Sequence, residues 1–461
     1  MYFTDSTVTS DFIVDTLEDF WESEKYRFEK IKSLIINQDN RPENNSRRTQ
    51  FMKRIVEFYK KYQVDIRLAY YPPYHSKYNP TKYRTKSLKS RREWGFMRNS
   101  TNLETPMNQY NALKQALKPH LRWHGARLSF LALFLLALLK VKTVNLKELA
   151  LGFEGRVLVE SHYKRLQRFF GDFEIDYPEI ARIVVQWLNI PQPWVLSIDR
   201  TNWSFGSHHY NILTVGIVHE GVAIPILWWM LKKKKGNSNS DERMRFIEEM
   251  LKIFPSAEIR CLCGDREFIG LAWLRYLLLE PMLAFCLRIR ATDKIEYNGK
   301  RLAAKVIFAH LAIGESQRLQ GSCLIWGYPV SVEALRLPDN SLLIVIGQPD
   351  CLGLIQDYAQ RWGIETLFGI FKTRGFCLES THFTDPKRLR KLLALLTLAL
   401  VWSLKTGLEI HHLNPIPIKK HGRRAKSLFR LGLDHLRHLI LNPSLPNFSL
   451  FLQSLHFLSC T

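Results

Sequence analysis

Residues 194–265 carry the order that most restricts what this chain can fold into. The apolar run Trp194-Val195-Leu196-Ser197-Ile198 ends at Asp199 and reads as a strand. HYNILTVGIVH and GVAIPILWWML flank Glu220-Gly221 and read as a β-hairpin. DERMRFIEEMLKIF then reads as an amphipathic helix, and EIRCLC as a strand delivering Gly264-Asp265. Three strands, a helix and a fourth strand predict an α/β fold with Asp199 and Asp265 at strand ends. If the first and fourth strands lie side by side, the carboxylates are neighbours. Their repulsion then raises a proton affinity unless a cation sits between them.

A third acid stands further on, in the segment DYAQRWGIETLFGIFK. Tyr358, Arg361, Glu365 and Lys372 are separated by offsets of three, seven and fourteen from the first. At about 100° per residue, these positions fall within roughly 60° of one another on an α-helix. One face would carry a carboxylate, two cations and a phenol, suited either to a hard divalent metal and phosphate oxygens or to plain solvation. Two strand aspartates and a helix glutamate are the acidic set that two-metal phosphoryl transfer requires, with ions about 3.5–4 Å apart. Rigid strand ends and a packed helix can hold such a set in place.

The rest of the chain supplies context. It has 461 residues, 46% of them apolar, including 12 Trp, so it can bury substantial cores. Lys and Arg number 66 against 43 Asp and Glu, a formal net charge of +23, which points to a polyanionic partner. Two apolar runs, 128–139 and 392–404, are shorter than the ~20 residues of a bilayer-spanning helix and read as core helices. The N-terminus, MYFTDSTVTSDF, lacks the regions of a signal peptide. Seven scattered cysteines include a Cys261-x-Cys263 pair with no second pair or nearby His to complete a zinc site. A reducing cytoplasm is the expected setting.

Composition shifts along the chain divide it further. Residues 81–98 are basic and aperiodic, and 96–106 read as a linker. Residues 107–188 read as helical, with a helix-turn-helix-like passage around 144–170. There Tyr163, Leu166 and Phe170 share an apolar face while Lys164, Arg165 and Arg168 point away. That basic face suits DNA phosphates or a groove, or is simply a surface helix. After Asp265 come a helix and a strand-rich stretch: LAFCLRIR, a turn at Asn298-Gly299, AAKVIF, SCLIWGY, PVSVEALRL and SLLIVIG. A basic tail follows the last apolar helix, around Lys419, Lys420, Arg423, Arg424 and Lys426.

Three blocks together resemble the DDE transposases of insertion-sequence family four, the group with a Y-R-E-K signature. They are Ser197-Ile198-Asp199-Arg200-Thr201-Asn202-Trp203, then Gly264-Asp265-Arg266-Glu267-Phe268-Ile269-Gly270, then Tyr358, Arg361, Glu365 and Lys372. The loop KKGNSNSDER is also similar, and the likeness runs from about Met107 into the C-terminal region. The resemblance implies an α/β fold in which a ribonuclease-H-like core is interrupted by a β-rich insertion, after a helical N-terminal DNA-binding region. The implied domains are 107–188 (DNA-binding), 189–270 and 351–410 (core), 271–350 (insertion) and 411–461 (basic C-terminal region). It implies Asp199, Asp265 and Glu365 as a triad for two Mg²⁺ ions, with Mn²⁺ able to substitute. Tyr358, Arg361 and Lys372 would contact phosphates of the transposon end. Arg200, Asn202 and Arg266 would contact DNA or orient the acids. Trp326, read within the SCLIWGY strand, would either stack on an extruded base or fill the core. The partners implied are double-stranded terminal repeats and target DNA, bridged by a homodimer near the bacterial nucleoid.

The first 95 residues differ. LIINQDNRPENNSRRTQFMKRIVEFYKKYQVDIRLAYYPPYHSKYNP is similar to the distal catalytic half of mariner-like bacterial insertion-sequence transposases. Asp39 matches a strand aspartate of that class. The glutamate expected soon after Asn79-Pro80 is missing, Arg41 stands where a Gly is usual, and the upstream half is lacking. An accidental fusion, one mobile element inside another, accounts for this, and a genuine N-terminal DNA-binding domain is the alternative. Two other activities share the same residues: a catalytically silent DNA-binding regulator and a nonspecific nuclease.

Overall fold

The structure, a computed structural model, describes residues 9–27, 33–38, 49–70, 105–155, 157–205, 207–232, 236–420, 422–456 and 458. Asp39, Arg41, residues 79–82 and most of the linker 96–106 lie outside them. The chain forms two compact units, Met1–Ser100 and Thr101–Thr461.

In the first unit, helix α1 (Ser10–Glu24) and helix α2 (Thr49–Tyr62) accompany strands β1 (Ser33–Gln38) and β2 (Asp65–Tyr70). The strands pair in parallel from Ser33 opposite Asp65 to Gln38 opposite Tyr70. Val14, Trp21, Phe51, Ile55, Phe58 and Val64 make a small core. Around it the helices exchange charges, with Arg54 between Asp15 and Glu57 and Lys61 Nζ 2.8 Å from Glu18.

The second unit begins with helices α3 (Thr105–Leu117), α4 (Gly125–Val141), α5 (Leu146–Gly152), α6 (Val159–Asp172) and α7 (Tyr177–Leu188). Local chemistry starts several of them. Asn145 caps α5, and Asp176 accepts from Glu179 N at the start of α7, where Pro178 occupies the first turn. Residues 130–139 of α4 are buried all round, as a core helix requires.

An 11-stranded sheet follows, in the order β5-β4-β3-β6-β7-β13-β12-β11-β8-β9, with β10 paired to β12. Strands β3 (Trp194–Phe205), β4 (His208–His219) and β5 (Val222–Met230) are antiparallel neighbours. Glu220 and Gly221 make the two-residue turn between β4 and β5, both with positive φ, the pairing that hairpins of this length need. Helix α8 (Ser240–Ile253), opened by an Asn239–Glu242 capping box, leads to β6 (Ile259–Gly264), which runs parallel to β3. The β-β-β-α-β order expected from sequence is therefore present.

Helix α9 (Leu271–Leu279) and strand β7 (Phe285–Arg288) come next, and β7 pairs in parallel with β6. The sheet thus continues through residue 271, where the sequence reading puts the start of the insertion. Beyond it lie β8 (Lys294–Tyr297), β9 (Lys300–Ala303), β10 (Ser316–Arg318), β11 (Cys323–Ile325), β12 (Tyr328–Arg336) and β13 (Leu342–Gly347). AAKVIF is not a strand: Ala304–Ile307 is one helical turn after β9. β13 returns to pair with β7, so the β-rich stretch is an extension of the central sheet.

Helices α10 (Leu354–Ala359), α11 (Trp362–Gly369), α12 (Pro386–Leu413), α13 (Leu428–Leu441) and α14 (Leu445–His456) complete the unit. By length and composition α12 could cross a membrane, further than its apolar run suggested, yet residues 391–404 are all buried inside this unit. At the α12–α13 crossing Gly407 and Gly432 face opposing backbone, where no side chain would fit. The basic C-terminal region also contributes to the core, through Leu428, Phe429, Leu433, Leu436 and Leu439.

Candidate active site

The sheet changes direction between β3 and β6. After β3 the chain builds β4 and β5 on one side, then crosses through α8 to place β6 on the other. Such switch points leave a crevice beyond the carboxyl ends of parallel strands. Ile198 is paired with Gly264, so Asp199 and Asp265 follow side by side, Asp265 just past β6 and Asp199 midway along β3, which does not end there as expected but runs on to Phe205 against β4. Gly264 admits the close packing there, since an added Cβ would meet Leu287 Cδ2 and Phe268 Cβ, each at 3.0 Å.

The third acid arrives on a helix that is not continuous. The expected single helix breaks at Gln360–Arg361, where Arg361 N donates to Tyr358 O at 2.9 Å and Ile364 N donates to Arg361 O at 3.0 Å. These shorter i→i+3 bonds tighten the chain between α10 and α11. Ser197 Oγ on β3 donates to Arg361 O at 3.3 Å, taking up a carbonyl at the break. After α11 the segment Ile370–Arg374 winds as a π-helical turn.

The break brings three of the four helix residues to the aspartates. Tyr358 Oη donates to Asp265 Oδ1 at 3.2 Å. Arg361 Nη1 lies 3.2 Å from Asp199 Oδ2 and 3.6 Å from Glu365 Oε1, and its guanidinium stacks 5.6 Å from the Tyr358 ring. Lys372 does not join them, because the π turn departs from the 100° step that put it on the same face. Its ammonium donates to Asn202 O at 3.1 Å, lies over the Trp203 ring and reaches Glu379 at 3.5 Å. It therefore lies further along β3 than the acids.

Burial controls the electrostatics. Desolvation pushes the Asp199 carboxyl up to about 7, against the lowering effects of the Arg200 N–H at 2.7 Å and of Arg361; Glu365 and Glu267 add to the rise. Desolvation also pushes the Tyr358 phenol up to about 12, so it stays a donor. Burial works against the Arg361 cation, but Tyr358, Asp199, Asp265 and Glu365 outweigh it and raise its proton affinity. Glu365, with 43% of its side chain exposed against 15% for Asp199, is the solvent-facing acid of the group.

Residues 191–402, which contain all of this geometry, match the model of a transposase DDE domain. Residues 1–102 match a second model, the Rhodopirellula transposase DDE domain. Two separate stretches of the chain are thus similar to DDE domains of transposases. No curated protein matches the chain. Among solved structures, the piggyBac transposase synaptic complex with hairpin DNA is similar at 14% identity and a TM-score of 0.37. That match covers 80% of this chain and 76% of the other, too loose a superposition to carry weight.

The remaining candidate residues fall into distinct settings. Arg200 is engaged within the protein: Nε and Nη2 donate to Glu267 at 2.6 and 2.7 Å, Nη1 to Asn211 at 2.9 Å and Nη2 to Asn237 at 3.2 Å. Arg266 is exposed directly beside Asp265. On α6, Lys164 and Arg168 are exposed. Arg165 does not point away but packs over the Phe130 ring at 5.9 Å, where burial lowers its proton affinity. Trp326 is not in a strand. With Gly327 it forms the two-residue turn between β11 and β12, at φ 52° and 83°, and it is 37% exposed. A bulky residue at positive φ on an exposed tip is a strained placement of the sort that accompanies function.

Two side chains at the site were missed in the sequence. Trp362, 67% exposed, stands one turn before Glu365 on α11. Arg288, at the end of β7, places Nη1 3.8 Å from Asp265, while its buried Nε has no hydrogen-bond partner among the described residues. The alternation of LAFCLRIR already put Arg288 on a strand, but only the pairing of β7 with β6 shows which acid it faces.

Three carboxylates from three segments suit a hard divalent cation in donor chemistry, and the buried Asp199 gains most from a nearby positive charge. Among the described residues no cluster of three or more such side chains is arranged as a ligand set. Instead, the Arg361 guanidinium lies between Asp199 and Glu365, so these acids can share an ion only if it turns aside.

Proposed function

We propose that this chain is a Mg²⁺-dependent cut-and-paste transposase of the family-four, Y-R-E-K type, built on a ribonuclease-H-like core. The supporting observation is the parallel register that sets Asp199 beside Asp265, with Arg361 bridging Asp199 to Glu365. Asp199, Asp265 and Glu365 would hold two Mg²⁺ ions. When bound, such ions polarise the scissile phosphate and neutralise charge on the attacking and leaving oxygens.

The protein's own groups provide positioning. Tyr358 and Arg361 would present donors to phosphate oxygens at the cleavage site, Arg361 exchanging its carboxylates for phosphate as the duplex enters. Lys372, further along β3, would hold a neighbouring phosphate, and exposed Arg266 another. Arg200, bound to Glu267, would orient the loop after Asp265 and not touch DNA. Trp326 and Trp362 offer exposed aromatic faces on which an unstacked base could rest. Lys164 and Arg168 would contact the transposon end through α6.

In the reaction, water attacks phosphorus at the transposon end, and the P–O3′ bond breaks to release a 3′-hydroxyl. That hydroxyl attacks a phosphorus of the opposite strand, giving a hairpin, or of target DNA, and the P–O3′ bond there breaks to release a new 3′-hydroxyl. Two protomers would bring two ends together. The test is to incubate purified protein with its element ends, Mg²⁺ and a target plasmid. Nicked ends and joined products are expected, and their absence with intact DNA binding would count against the assignment.

A further inference from the structure

We propose that the basic hairpin of residues 417–425, with the cationic strip that follows it on α13, is a second contact surface for double-stranded DNA, separate from the acids. The proposal rests on the reading that the chain acts on DNA.

The hairpin is a built element. Ile418 bridges Arg424 in antiparallel fashion, and Ala425 N donates to Pro417 O at 2.8 Å. Lys419 N donates to Arg423 O at 2.8 Å, and Gly422 N, at φ +76°, donates to Lys419 O at 2.9 Å. Its roots are fixed as well. Ile416 is buried and its N–H donates to His411 Nδ1 at 2.9 Å, while Ser427 caps α13. The cations are thus presented on ordered backbone, and less entropy is lost when they engage a ligand.

The charge is unbalanced. Lys419, Lys420, Arg423, Arg424 and Lys426 are all exposed, and the sequence has no Asp or Glu from 410 to 433. Two carboxylates answer part of it: Glu220, 3.7 Å from Arg424, and Asp434, which meets Lys426 at 3.4 Å and Arg430 at 2.9 Å. Among the described residues no carboxylate pairs with Lys419 or Lys420. The strip continues to Arg437, whose Nε donates to Lys140 O at 3.0 Å, and to Lys142. Burial lowers the proton affinity of Lys142, and Arg430 and Arg437 lower it further. Cations crowded to the point of mutual repulsion gain most from a row of phosphates.

The ribbon favours nucleic acid over a lipid surface. Interfacial binding usually needs an amphipathic helix with a broad apolar face, and among the described residues of the hairpin the exposed apolar side chains are Pro417 and Ile418. The hairpin is also separate from the acids: Glu220, just past β4, lies six residues from Thr214, the partner of Asp199, toward the amino end of β3, or about 20 Å at ~3.4 Å per residue.

The test uses the full chain and a fluorescent duplex of arbitrary sequence, with affinity measured by anisotropy between 50 and 200 mM salt. The Lys419→Gln/Lys420→Gln/Arg423→Gln variant should bind roughly tenfold or more weakly at the low-salt end, with the log–log salt slope shallower by about 2–3. Lys419→Arg/Lys420→Arg should keep the parent slope, and the melting curves of all three proteins should coincide. Equal slopes for parent and Gln variant overturn the hairpin proposal alone. A parent protein that binds no duplex overturns the functional reading with it. If the Gln variant instead loses binding to phosphatidylserine vesicles while its DNA affinity is unchanged, the surface serves lipid and the proposal fails.

Discussion

The chain holds two stretches that match DDE transposase domains, and they differ in what surrounds their acids. In residues 191–402, Asp199, Asp265 and Glu365 come from two strands and a helix, and each meets a donor from α10, the helix break or β7. In residues 1–102 the sequence offers Asp39 with no glutamate soon after Asn79-Pro80, the first being Glu93. Among the described residues the first unit has two paired strands and a small core against which α1 and α2 pack. A family match thus reports ancestry, whereas chemistry requires acids that converge. The largest expected effect breaks this comparison directly. Glu365→Gln should lower Mg²⁺-dependent end cleavage by on the order of a hundredfold to a thousandfold or more, with duplex binding retained. Asp39→Asn should leave the rate unchanged in the same gel assay. A slowed Asp39→Asn enzyme would give the N-terminal segment a catalytic part.

The two units should also separate in stability. Phe58 is fully buried in the small core, and truncation to Ala should cost roughly 3–5 kcal/mol, comparable to all the stability such a unit can have. Trp273→Ala in the large unit should cost a similar amount yet leave it folded. Urea unfolding followed by circular dichroism and limited proteolysis would distinguish them. Phe58→Ala should expose residues 1–100 to protease without changing end cleavage.

How much of this was legible in the sequence depends on range. The turns at Glu220-Gly221 and Asn298-Gly299 were readable because positive φ favours Gly221, Asn298 and Gly299 locally, although Glu220 adopts it without such a preference. Asp265 was readable at a strand end, whereas Asp199 lies midway along β3, which pairs with β4 as far as Phe205, and the adjacency of the two waited on the β3–β6 register. The break at Arg361 and the π turn after Gly369 leave no Pro or cap to mark them. They follow from docking onto the sheet, where Gly363 lies against the Val222–Ala223 backbone. That is why Lys372, on the right face by angle, lies away from the acids. Trp326 was misread for a related reason, since Trp-Gly becomes a turn only once β11 and β12 pair around it.

A smaller effect concerns pH. With Mg²⁺ chelated, the folded Asp199 carboxyl at about 7 holds its proton more tightly than the unfolded one, whose ordinary value is 3.8. The metal-free fold therefore keeps this contribution fully below about pH 4 and loses it as pH rises towards and through 7, at up to roughly 1.4 kcal/mol per unit. Thermal melts in EDTA from pH 5 to 8 should show stability falling for the parent and less so for Asp199→Asn. At pH 8, Mg²⁺ should stabilise the parent more than the variant. Parallel pH curves for the two proteins would remove Asp199 from the buried, cation-seeking role.

The smallest expected effect is the most telling about the N-terminal segment. Removing residues 1–106 takes away a unit with its own core and the expected linker, while every acid and donor described at the active site lies beyond residue 190. End binding and cleavage by the shortened chain should match the parent within about twofold, the scatter expected when distant sites act independently. Since α3 starts at Thr105, a cut at 106 should fray only its first turn. A change in the salt slope would show the segment adding nonspecific phosphate contacts. Loss of specific end binding would mean something stronger, that the N-terminal unit reads sequence and was kept for it.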